Sequence, residues 1–159
     1  MDALSSPTEV IVEPSQRIIS ITLARREERR SFLGELCIHI SCRQLDWQLS
    51  STAQIFSQLS PFLSHVRSLA IKRYSLSQTK EGDDVNTTQW LELFQPFNGV
   101  RSLRIAEKFV PDVVQVLRMA TDGVLPALTL LNLEGYHKSA SVQEAAQLLL
   151  EARRRSGAR

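Results

Sequence analysis

Along the chain, hydrophobic and polar positions fall into patterns that each predict an element. Residues 17–23, RIISITL, are an isoleucine-rich run read as a strand. In residues 35–41, ELCIHIS, Leu36, Ile38 and Ile40 alternate with Cys37, His39 and Ser41, the period of a half-buried strand. Residues 51–63 switch to helical spacing: Ile55, Leu59 and Leu63 share a face, Ser51 and Gln54 have capping-box spacing, and Pro61 ends or bends the helix. Strands and helices then alternate. VRSLAI (66–71), VRSLRI (100–105) and LTLLNL (128–133) read as strands. Asn86 with Gln89, and Ser141 with Glu144, give capping boxes for two further helices. Between them, Pro111 suits a first helical turn and Gly123 a helix stop.

The three strand phrases share one aliphatic frame: Val66, Leu69, Ile71; Val100, Leu103, Ile105; Leu128, Leu131, Leu133. Equivalent leucines are 34 residues apart (Leu69 to Leu103) and then 28 (Leu103 to Leu131). Ile38-x-Ile40 lies about one interval earlier and fits as a fourth copy, and the polar stretch around Gly82 accounts for the longer spacing. A strand carrying L-x-x-L-x-L followed by a helix is the leucine-rich-repeat pattern, in which successive units stack and bury a shared core. The Asn that closes that pattern is replaced by Tyr74, Lys108 and Tyr136. The expected fold class is therefore α/β, a short leucine-rich-repeat-like stack of strand–helix units with a mainly parallel sheet. It is expected as one domain over residues 17–154, with 17–23 as an edge strand. A disordered N-terminal segment (1–16) and a basic disordered tail (155–159) would flank it. The alternative is an α/β sheet without repeats.

Composition narrows the function classes. The 159 residues carry 19 basic and 17 acidic side chains, interspersed, for a net charge of +2, which gives no reason to expect nucleic acid or an anionic membrane as partner. No apolar run approaches the length of a membrane span, and the start MDALSSPTEV lacks the apolar core of a secretory signal. Two cysteines argue against a disulfide-stapled fold, so a cytoplasmic or nuclear setting is expected.

Candidate chemistry is sparse. Cys37-x-His39-x-x-Cys42 has metal-ligand residue types but no second pair to complete a zinc site, and packing explains it better. No nucleophile elbow, Walker loop or dinucleotide fingerprint occurs. Glu81, Asp83 and Asp84 fit a solvated turn as well as a cation site, Asn86 fits a helix cap, and His65 and His137 stand alone. Trp90, at the start of an amphipathic helix, is expected to pack on the sheet, whereas Trp47 stays open between packing and ligand stacking. The expectation is no cofactor, no metal and no catalysis.

The phrases LDWQLSS, QWLELFQPF and LPALTLLNLEG resemble F-box-like, leucine-rich-repeat-type proteins of mushroom-forming fungi, over roughly residues 35–151. The resemblance implies a repeat domain that captures protein substrates, joined in the family to an N-terminal F-box that binds the adaptor of a cullin-based ubiquitin ligase. The residues before Ile18 are too few and too polar for that motif, so the chain matches the C-terminal part. The expected function is a non-catalytic protein–protein interaction module, with ubiquitin-ligase components reached only through the missing motif. Outward strand positions of such a repeat line its binding face. The expected partner-binding residues are His39, Ser41, Ser68, Ala70, Lys72, Ser102, Arg104, Asn132 and Glu134, on a face that also includes Cys37, Ala106 and Leu130. Two readings compete: a small α/β enzyme with an unrecognised site, and a non-functional truncated fragment.

Overall fold

Three N-terminal runs form strands: β1 (Glu9–Pro14), β2 (Ile18–Arg26) and β3 (Phe32–Ser41). The computed structural model describes residues 7–15, 17–26, 32–72, 86–120, 123–134 and 140–157. After β3 come α1 (Leu45–Gln58), the short α2 (Ser60–Leu63), β4 (Ser68–Ile71) and α3 (Thr87–Phe94). Then follow β5 (Ser102–Ile105), a 3-10 turn leading into α4 (Val110–Met119), β6 (Leu130–Leu133) and α5 (Ala140–Gly157).

The strands make one sheet in the order β3-β2-β1-β4-β5-β6. β1, β2 and β3 pair antiparallel, while β1 with β4, β4 with β5, and β5 with β6 pair parallel. The recurring aliphatic frame is in direct register: Leu69 lies opposite Leu103 and Leu103 opposite Leu131, with Ile71, Ile105 and Leu133 aligned two residues on. Successive strand–helix units therefore stack the same side chains over one another. The α/β class and the parallel pairing of these three strands hold.

The N-terminal half differs from the expected stack. β3, expected beside β4 as the first unit, forms the far edge of the sheet, and β2, expected at an edge, is interior. The place next to β4 is taken by β1, from the segment expected to be disordered. Val10 and Val12 are fully buried, and β1 pairs on both sides, which is what holds so short a strand in the sheet. At the other end α5 runs through Gly157, so residues 155–157 are helical and not a disordered tail.

All the helices feed one core with one face of the sheet. Leu49 and Phe56 of α1, Trp90, Leu93 and Phe94 of α3, Val113 and Leu117 of α4, and Leu149 of α5 join Val10, Val12, Ile19, Ile21, Leu69, Ile71, Leu103 and Ile105 in a single cluster. Trp90 is fully buried, stacked on Phe94 (centroids 5.8 Å) and edge-on to Phe109 (5.6 Å), as its place on an amphipathic helix predicts. Consecutive helices lie side by side, α1 on α3, α3 on α4, and α4 on α5.

Helix ends show which local signals hold. The box on α3 forms as expected: Asn86 accepts from the Thr88 amide (3.2 Å), and Gln89 accepts from the Asn86 amide (3.1 Å). The other two signatures fall inside their helices. α1 starts at Leu45 with Asp46 in its first turn, well ahead of Ser51, because the buried row Leu49, Ala53, Phe56 continues the helix N-terminally. α5 starts at Ala140, ahead of Ser141. The first helix ends at Gln58, and Pro61 opens α2.

Candidate functional site: the helix-free face of the sheet

Because side chains alternate along a strand, a sheet covered on one side only displays every second residue on the other. Among the described residues no helix crosses this second face. Its composition follows from register. One row runs Cys37, Thr22, Ile11, Ala70, Arg104, Asn132, each opposite the next. A parallel row begins His39, Ser20, Glu13 and continues, past the strand ends, to Lys72, Ala106 and Glu134; their amides bond Val12, Ile71 and Ile105 respectively. A third row joins Glu9, Ser68, Ser102 and Leu130.

Residues expected on the binding face thus do share one face, but two strands divide them: β1, which the sequence reading left out, and β2, which it set at an edge. β1 and β2 place Glu9, Ile11, Glu13, Ile18, Ser20 and Thr22 between the His39–Ser41 end and the Ser68–Glu134 end. The alternation of EVIVE in β1 is the signal that could have found that strand. Exposure is uneven. His39, Ser41, Arg104, Asn132 and Leu130 are exposed, Ser68, Lys72, Ser102 and Glu134 are half-buried, and Ala70 is buried, a floor between Ile11 and Arg104.

Polar pairs tie the face together. Arg104 Nε approaches Glu134 Oε1 at 3.7 Å across β5 and β6, with both side chains nearly half exposed, so the pair contributes little to stability and leaves its charges readable by a partner. On the hairpin, Ser20 Oγ and His39 Nδ1 are 3.0 Å apart, and Thr22 Oγ1 and Cys37 Sγ are 3.7 Å apart. A serine–imidazole pair acts as a nucleophile when a third group orients the imidazole. Glu13, the carboxylate next to Ser20 in register, lies on the far side of Ser20 from His39 and is misplaced for that task.

Other candidates resolve individually. Among the described residues no three His, Cys, Asp or Glu side chains gather as a metal-binding group. Cys42 Sγ donates to the Gln44 carbonyl (3.6 Å) beyond the end of β3, and Ser64 Oγ sits 3.2 Å from His65 Nδ1. Trp47 is 64% exposed on the first turn of α1. Residues 81–84, Tyr74, Tyr136 and His137 lie outside the described residues. On the helix side, an open groove of about 850 Å³ runs over α1, lined by Ile40, Ser51, Gln54, Ile55, Gln58 and Glu92. Among the described residues that line it Glu92 is the one charged group, so no acid–base pair converges there. Among the described residues no helix is long and apolar enough to cross a membrane.

Arg153, on α5 just ahead of the tail expected to be disordered, turns inward. Its Nη1 donates to the Val124 and Leu125 carbonyls, both at 2.8 Å, and its Nη2 to the Leu117 and Ala120 carbonyls, both at 3.3 Å. The guanidinium thus caps the C-terminus of α4, where unpaired carbonyls and the helix dipole favour a cation. It also clamps Leu125, whose φ of 48° is a left-handed conformation.

No protein-family model matches the chain, and no curated protein matches it. Among solved structures it is similar to the Thermus thermophilus RuvC structure, at 12% identity and a TM-score of 0.33, over 94% of this chain and 96% of that one. Beside that likeness the expectation that this chain is not an enzyme is withdrawn. At so low a TM-score the likeness assigns no activity in its place.

Proposed function

We propose that the chain is a protein-binding module whose contact surface is the helix-free face of the sheet. It would serve as the substrate-recognition portion of an F-box-like ubiquitin-ligase adaptor. The observation that carries this reading is the one-sided layering among the described residues: the helices and one core on one face, and register-aligned polar and small side chains on the other. Such a surface mixes Lys72, Arg104 and Glu134 with the exposed Leu130 and the floor at Ala70. Interspersed charge of both signs around apolar positions suits a protein partner better than a phosphate backbone, which calls for clustered cations. The link to ubiquitin-ligase adaptors rests on the phrases LDWQLSS, QWLELFQPF and LPALTLLNLEG, which here hold the first half of α1, α3 from Gln89 onward, and β6 with the residues leading into it.

The test is affinity capture with the purified chain, comparing Arg104→Glu on the open face with Arg118→Glu on the exposed side of α4. Partner proteins retained by the unaltered chain and by Arg118→Glu, but lost with Arg104→Glu, are the expected result. Equal retention by both variants would refute the open face as the contact surface.

A further inference from the structure

The helix-free face carries its charges in an arrangement set by register. At the seam between β1 and β4, which run parallel, Glu9 lies opposite Ser68 and Ile11 opposite Ala70. The Lys72 amide donates to the Val12 carbonyl (2.8 Å), which sets Lys72 beside Glu13, two residues beyond Ile11. One side of the seam therefore presents Glu9, Ile11 and Glu13, acidic around a bulky apolar side chain. The other presents Ser68, Ala70 and Lys72, basic around a small one. Ala70 is 2% exposed, and its methyl group is recessed between the longer side chains of Ile11 and Arg104, whereas Ile11 is half-exposed. Glu13 and Lys72 are half-exposed as well. Among the described residues neither stands in an ion pair; the pair on this face joins Arg104 to Glu134.

We infer that this seam docks on the same seam of a second copy, the two open faces packed together about a two-fold axis midway between β1 and β4 and parallel to both. The inference rests on the reading of the open face as a protein-contact surface and names one occupant of it, which competes there with captured partners. Rotation about such an axis preserves strand direction, so the two sheets stack aligned. It lays β1 of each copy over β4 of the other. Glu13 then meets Lys72 of the second copy, Ile11 enters the depression over its Ala70, and Glu9 faces its Ser68. Each contact occurs twice, as an isologous interface requires. Stacked sheets lie about 10 Å apart, a gap that a glutamate and a lysine span together. Sheet twist separates the faces with distance from the axis, so the residues beside it make the contact. The charge pattern selects this axis. Placed on β1, β4 or β5, the axis would set Glu13, Lys72 or Arg104 against its own counterpart; placed between β4 and β5, it would set Glu13 against Glu134. Between β1 and β4 no like charges meet: Arg104 lies toward Thr22 of the second copy and Glu134 toward its His39.

Sedimentation of the purified chain tests it. The mass is expected to rise from monomer to dimer with concentration. Lys72→Glu and Glu13→Lys each place two like-charged pairs at the seam, and each is expected to weaken the dimer roughly tenfold or more. Mixed one to one, the two variants are expected to associate with each other, because every glutamate at the seam then meets a lysine across it. A purely structural role for either residue gives no such rescue. Arg104→Glu lies off the seam and is expected to keep the dimer while losing captured partners. A chain that stays monomeric throughout, single variants that dimerise as before, or a mixture no more associated than its components would overturn the proposal. A monomeric chain whose partner capture still depends on Arg104 would refute this inference alone. A dimer broken by Lys72→Glu, with capture indifferent to Arg104, would support the inference and refute the partner reading alone.

Discussion

The two halves of the sheet build strands by different means. From β4 onward each strand is four residues long, begins from the same Val/Leu-x-x-Leu frame and is followed by a helix that covers it. In the N-terminal half the strands run six to ten residues, pair antiparallel with their neighbours in sequence, and share a single covering helix, α1. Short parallel strands need their crossover helices because each must bury one face against something close in sequence. Long antiparallel strands gain their stability from the ladder itself, so the outermost, β3, extends past its cover. β1 belongs to both systems: it is antiparallel to β2 and parallel to β4. The difference teaches where each half is vulnerable. The C-terminal half depends on helix packing, the N-terminal half on pairing, and the molecule as a whole on β1.

The largest expected effect comes from breaking that junction. Val12→Asp would bury an unpaired carboxylate between the halves, and a loss of about 4 kcal/mol or more is expected. Circular dichroism should show both halves unfolding together; a residual folded half would show that β1 is not shared. Trp90→Ala attacks the helix packing of the C-terminal half and is expected to cost about 3–5 kcal/mol in chemical denaturation. Amide exchange should then accelerate first in β4 and β5, with β2 and β3 following only on global unfolding. Gly99→Ala tests a close approach peculiar to the strand–helix half, since an added Cβ would lie 2.5 Å from the Ser64 carbonyl oxygen. Backbone must shift to admit it, and a cost of about 1–3 kcal/mol is expected in the same assay. Ser20→Ala, on the open face of the hairpin, is expected to change stability by no more than about 0.5 kcal/mol. A larger loss would mean that the Ser20–His39 pair holds the ladder.

The halves also differed in how plainly the sequence announced them. The C-terminal strands were legible because one aliphatic frame recurs, and a frame buried against its own helix leaves a local trace. The period of two in β3 was equally plain. Strand order was not, because β1 pairs with β4 across more than fifty residues and nothing local records that contact. Its alternating Val10 and Val12 were masked by the flanking prolines and glutamates of a short segment. The open-face positions from Ser68 to Glu134 were legible because alternation alone decides which side a residue takes. Ile11, Ser20 and Thr22 joined them only once β1 and β2 were placed. Arg153 stayed hidden, since an arginine among basic neighbours on a terminal helix gives no sign that it reaches four carbonyls at and beyond the end of α4.

Binding through the helix-free face is the central claim, and a charge swap tests it most directly. Exchanging the pair as Arg104→Glu with Glu134→Arg keeps opposite charges 3.7 Å apart and reverses what a partner meets. The account predicts an unchanged melting temperature with loss of the proteins captured by the unaltered chain. Capture that survives the swap at full strength would contradict it.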